Sequence, residues 1–109
     1  MSANALPRNR LELKAEWERN TGAEAIRALV AVCFQHQGDS TYPLTGFLLG
    51  LYNGALWKPD MQLLCRRTED KHFSFVLDAM KFVRQTNMEP HEVFVHGSGL
   101  FERLKEFAP

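Results

Sequence analysis

The stretch Thr41-Tyr-Pro-Leu-Thr-Gly-Phe-Leu-Leu-Gly-Leu-Tyr-Asn-Gly54 decides the fold. Asp39, Ser40 and Thr41 are alternative N-caps, and Pro43 suits the first turn, where its missing N–H costs nothing. Leu44, Phe47, Leu48, Leu51 and Tyr52 then recur at helical spacing, with Leu49 adding apolar surface on another side. Asn53-Gly54 ends the run. The stretch therefore reads as the central helix of a small all-helical domain. Gly46 and Gly50 lie one turn apart in it, a spacing that lets a neighbouring helix approach closely. The apolar run is too short for the membrane-dimer use of such a pair.

The flanking segments supply further helices. Residues 1–7 read as a loose tail ending in Pro7, and residues 8–20 as a thinly amphipathic outer helix with Leu13 and Trp17 on one face. Residues 8–109 then form a single domain, as expected at this length. Thr21-Gly-Ala-Glu24 has the form of a capping box. It precedes Ile26, Leu29, Val30, Cys33 and Phe34 at strong helical spacing, with Gly38 placed to close the helix.

After a turn at Trp57-Lys-Pro-Asp60, Asp60 can cap a short helix through Met61, Leu64 and Cys65. Between Lys71 and Gln85 the apolar residues cover a wide arc, which implies burial on most sides or one side left for a partner. Residues 91–97 read as a short irregular or extended segment. Gly97-Ser-Gly99 breaks the chain, with Ser98 or Gly99 capping a last helix through Leu100, Phe101, Leu104 and Phe107. The expectation is a compact all-α bundle of four to five helices. Its central pair would start after Thr21 and Thr41 and pack with the helix from about Lys71 to Gln85.

Composition narrows the function classes. Lys plus Arg and Asp plus Glu each number 13, so the formal net charge is zero. Nucleic-acid binders draw much of their affinity from a basic surplus, which this chain lacks. Absence of net repulsion also eases self-association. Eight Phe residues exceed what a small core needs, which suits a partner surface. Cys33 and Cys65 sit among apolar neighbours, far apart in sequence, and read as two reduced, buried thiols. With no hydrophobic leader and no apolar run long enough to span a bilayer, the expected location is the cytoplasm.

Candidate sites follow from residue type. His91 and His96 with Glu92 between them come nearest to a metal-ligand set. Zinc sites want three or four ligands at spacings set by a turn, and here no Cys lies close in sequence, so the histidines read first as loop residues. Ser98 lacks the flanking glycine pattern of a hydrolase elbow, and the Lys-Ser/Thr pair of a phosphate loop is absent. Arg66, Arg67, Lys71 and His72 form the densest basic cluster, interrupted by Glu69 and Asp70 as a solvated helix start would be. Tyr52 and Asn53 close an otherwise apolar helix, Asn53 as terminator or as a ligand-facing amide. Trp57 stands in the turn beside them. No carboxylate pair sits in an apolar setting suited to acid–base work, so the sequence points away from an enzyme and names no cofactor.

The Phe47-Leu-Leu-x-Leu-Tyr-Asn-Gly54 segment, with Leu29-Val-Ala-Val32, Asp60 and Glu92-Val93 before Gly97, resembles a family of small uncharacterised bacterial proteins. Their genes often lie on mobile elements, plasmids and prophages. The resemblance spans roughly residues 25–107 and is specific only over the Phe-Leu-Leu-x-Leu-Tyr-Asn core. It implies a bacterial origin and an all-helical fold, and it implies no activity. The family's Glu-x-His element before the last helix is not matched here, because position 94 is Phe and His96 follows two residues later.

Three functions are consistent with these residues. The first is a non-catalytic accessory module binding another protein, with self-association as a homodimer among its modes. The second is a nucleic-acid-associated regulator using Arg66, Arg67 and Lys71. The third is a small metal protein or enzyme centred on His91, Glu92 and His96.

Overall fold

A computed structural model describes residues 21–36, 38 and 41–108. The tail expected over residues 1–7, the outer helix expected over 8–20, and the cap candidates Asp39 and Ser40 lie outside the described residues. Within them the protein is an all-α bundle: α1 (Thr21–Gln35), α2 (Tyr42–Tyr52), α3 (Met61–Arg67), α4 (Asp70–Thr86) and α5 (Gly97–Leu104). Short 3-10 turns at Pro90–Val93 and Lys105–Phe107 flank α5. The described residues contain no strand, and none of their helices is long and apolar enough to cross a membrane.

Thr21, expected as a cap, is itself helical. At the other end of α1, Gly38 takes the positive φ (136°) for which glycine is suited. Thr41 is the N-cap of α2, with Pro43 in the first turn. Its hydroxyl donates to the carbonyls of His36 and Gly38 (3.1 Å to the latter), so it ties the cap to the end of α1 rather than closing α2's own amides. Leu44, Phe47, Leu48 and Leu49 of α2 are all buried, whereas Leu51 and Tyr52 are only half-buried. The helix is thus covered on more sides than its main stripe implies. It packs against α1, α3, α5 and both 3-10 turns.

The helix expected from about Lys71 to Gln85 spans Asp70–Thr86 and meets the expected central pair on its α1 side. α4 docks chiefly on α1, through Val76, Ala79 and Phe82. Leu77 and Met80, within the wide apolar arc of this helix, are 46% and 44% exposed, so the arc is not buried on all sides. Cys33 is buried as expected, but Cys65 is exposed, because α3 is short and contributes only Leu64 to the core.

The 91–97 segment takes an irregular form: a 3-10 turn, then Phe94 in extended backbone. Arg27 of α1 ties the turn down by donating to the Val93 carbonyl at 3.2 Å. α5 starts earlier than expected. Its N-cap is His96, in the left-handed region at φ 59°, so Gly97-Ser-Gly99 is the first helical turn rather than a break. The C-terminal end packs back onto α1, with Phe107 edge-on to Phe34 at 5.1 Å and the Arg103 guanidinium 5.3 Å from the Phe34 ring centre.

Candidate functional site

The loop from Asn53 to Asp60 builds one wall of an apolar surface groove. Asn53 closes α2 through its own N–H, which donates to the Leu49 carbonyl at 2.7 Å. Its side-chain oxygen accepts from the amides of Ala55 (3.2 Å) and Leu56 (3.3 Å). The side-chain oxygen of Asn53 is thus engaged in its own turn. Lys58 then donates to the Gly54 carbonyl at 2.7 Å, and Asp60 caps α3 by accepting from Leu63 N at 3.0 Å.

So held, the loop folds back across α2. A Cβ on Gly50 would sit 3.0 Å from Pro59 Cδ, and one on Gly46 would sit 3.8 Å from Pro59 Cα. The two glycines therefore admit this loop, not the neighbouring helix that their spacing suggested. Between loop and helices lies a cavity of about 530 Å³. Tyr42, Pro43 and Gly46 of α2 line one side; Trp57, Lys58, Pro59 and Asp60 of the loop another; Leu63 and Arg67 of α3 the third. Its volume is within the range of small-ligand and side-chain pockets. The Trp57 indole N–H is buried with no hydrogen-bond partner among the described residues. Leu56 (69% exposed) and Met61 (51%) lie next in sequence to its lining.

Arg67 also lines a second, more polar cavity of about 340 Å³ with Thr68, Glu69 and His72 on one side and Val32, His36, Thr41 and Leu44 on the other. The Thr68 hydroxyl there is buried and has no hydrogen-bond partner among the described residues. Arg66 is exposed in the same last turn of α3.

A second group surrounds Tyr52. Its ring lies 5.3 Å from His91, edge-on, and 5.0 Å from Phe101. The phenol donates to Glu102 Oε2 at 3.3 Å, and Glu102 Oε1 accepts from Lys105 Nζ at 3.0 Å. Loss of hydration on packing, reinforced by Glu102, pushes the Tyr52 phenol above its ordinary value. The Lys105 ammonium holds the Glu102 carboxyl below its own. His91 Nδ1 is buried without a hydrogen-bond partner among the described residues. Glu92 accepts from the Glu89 amide at 3.1 Å, in a local cap. His96 is exposed at the head of α5. No group of three His, Cys, Asp or Glu side chains among the described residues is placed to hold a metal ion.

The chain matches no protein family, no curated protein and no solved structure.

Of the residues singled out by sequence, the fold joins Trp57 to Arg67 at one cavity and Tyr52 to His91 at another surface. Asn53, Glu92 and His96 serve local backbone geometry. The sequence reading missed Tyr42, Pro59, Leu63 and Thr68. Tyr42-Pro43 and Trp57-Lys-Pro59 each read as punctuation, a helix start and a turn. Two aromatic–proline pairs flanking one helix were the available signal that they meet.

Proposed function

We propose that the protein is a non-catalytic interaction module that binds a segment of another protein in the groove between α2, the 53–60 loop and α3. The observation that carries this reading is the groove's lining. Tyr42, Trp57, Pro43 and Pro59 supply flat, rigid surface, and the exposed Leu56 and Met61 stand next in sequence to that lining. Aromatic and proline walls suit partner segments because they offer contact area at little entropic cost. An incoming backbone carbonyl would also satisfy the Trp57 N–H after a small side-chain shift.

Photo-crosslinking in a bacterial host tests the reading. A photoreactive residue in place of Leu56 or Met61 is expected to give one discrete protein adduct, whereas one in place of Lys81 on α4 gives none. Equal labelling from all three positions, or none from the groove, overturns it. An adduct of twice the chain mass identifies the partner as a second copy, and a nucleic-acid adduct would replace this reading with the regulator.

A further inference from the structure

Arg67 belongs to two cavities at once. It closes the aromatic groove of about 530 Å³ and opens onto the polar pocket of about 340 Å³. Among the described residues its guanidinium has neither a hydrogen-bond nor an ion-pair partner. The other charged groups of the groove are already engaged: Asp60 caps α3 and Lys58 holds the Gly54 carbonyl. On the polar side, His36, His72 and the buried, unsatisfied Thr68 hydroxyl are further donors, set against the single carboxylate of Glu69.

From this arrangement we infer that the groove selects a partner segment in which an aromatic or large apolar residue is followed closely by a carboxylate. The apolar side chain lies between Trp57, Tyr42 and Pro59. The carboxylate meets Arg67 at the junction of the cavities. Charge complementarity commits the occupant: an acidic segment gains a fork-shaped donor with no competing internal partner, while a basic one would set its charge against Arg67 and Lys58, with only Asp60, already capping α3, to offset them. The inference rests on the groove reading and specifies the partner's chemistry.

The test is selection of a displayed library of random linear peptides on the intact protein, with binders located by NMR shifts of the Trp57 indole and the α3 amides. Enriched peptides are expected to carry Asp or Glu beside an aromatic residue. One such peptide should bind R67Q about tenfold more weakly, and its Gln-for-Glu form should lose a similar factor on the wild-type protein. The two changes together should cost little more than either alone, which a merely structural role of Arg67 would not produce. Arg67 is exposed, so R67Q is expected to fold normally. Groove-binding peptides with no acidic preference, or undiminished on R67Q, overturn the inference and leave the groove reading standing. No enrichment, or shifts confined to other surfaces, overturns both.

Discussion

A Cβ on Gly97 would collide with the His91 backbone carbonyl, while one on Gly99 would meet nothing within 4 Å. Both glycines are in the first turn of α5, where alanine has the better intrinsic propensity. Gly97→Ala is therefore expected to destabilise the protein by about 2–4 kcal/mol, and Gly99→Ala to leave it unchanged or stabilise it by up to about 1 kcal/mol. Urea unfolding of the two variants checks the difference, and equal effects would contradict the close approach of the turn to α5. Asn87, the C-cap of α4, adopts φ 57°. Asn87→Gly should stabilise by roughly 0.5–1 kcal/mol in the same assay, since glycine takes that conformation without strain. Sequence marked Gly97-Ser-Gly99 as special but could not say which glycine mattered. The collision partner is His91, and its position depends on how the 3-10 turn is pinned to α1 by Arg27.

At the scale of elements, α2 carries the sharpest expectation. Leu48 and Leu49 are both 0% exposed, whereas Leu51 is half-buried. Leu48→Asp or Leu49→Asp removes a buried apolar side chain, worth about 2–5 kcal/mol, and sinks a carboxylate in its place, enough to exceed a typical total stability. Both variants should lose their helical circular dichroism at ambient temperature; Leu51→Asp should stay folded but unfold at lower urea. A folded Leu49→Asp variant would refute the burial of α2 on this side. The helix itself was legible because its apolar spacing, Pro43 and Asn53 all agree. What covers it was not. Periodicity reports that a face is buried without naming the covering element, so Gly46 and Gly50 suggested a helix where the 53–60 loop lies. The same blindness hid the groove: Tyr42 and Trp57 meet only because that loop doubles back. Likewise the stripes of α4 could not be ranked until α1 chose Val76, Ala79 and Phe82 over Leu77 and Met80.

Across the whole molecule, one apolar cluster runs through α1 to α5 and includes Val93 of the 3-10 turn. A shared core of this kind unfolds as a unit, so its buried groups report on global stability. Cys33 is such a group. Burial pushes its thiol from 9.0 up to about 11, with the Thr45 hydroxyl opposing. Cys65 is exposed and free. At pH 8 a disulfide reagent should therefore label Cys65 at once, while Cys33 reacts only as fast as the molecule unfolds. Two rapidly labelled thiols would place Cys33 outside the core. The same shift couples stability to alkaline pH. Below pH 9 the thiol is protonated in both states and contributes no pH dependence. Between 9.0 and about 11 the unfolded chain loses the proton while the folded one keeps it, so stability falls as pH rises, by roughly 2–3 kcal/mol if the full shift is realised. The quantity to measure is the difference between wild type and Cys33→Ala, which isolates the contribution of this thiol. Their stabilities should run parallel below pH 9 and converge above it, as the wild type alone loses the contribution of the buried thiol. Parallel curves up to pH 11 would mean that the Cys33 thiol ionises in the folded protein as readily as in water, which would contradict its complete burial in the core.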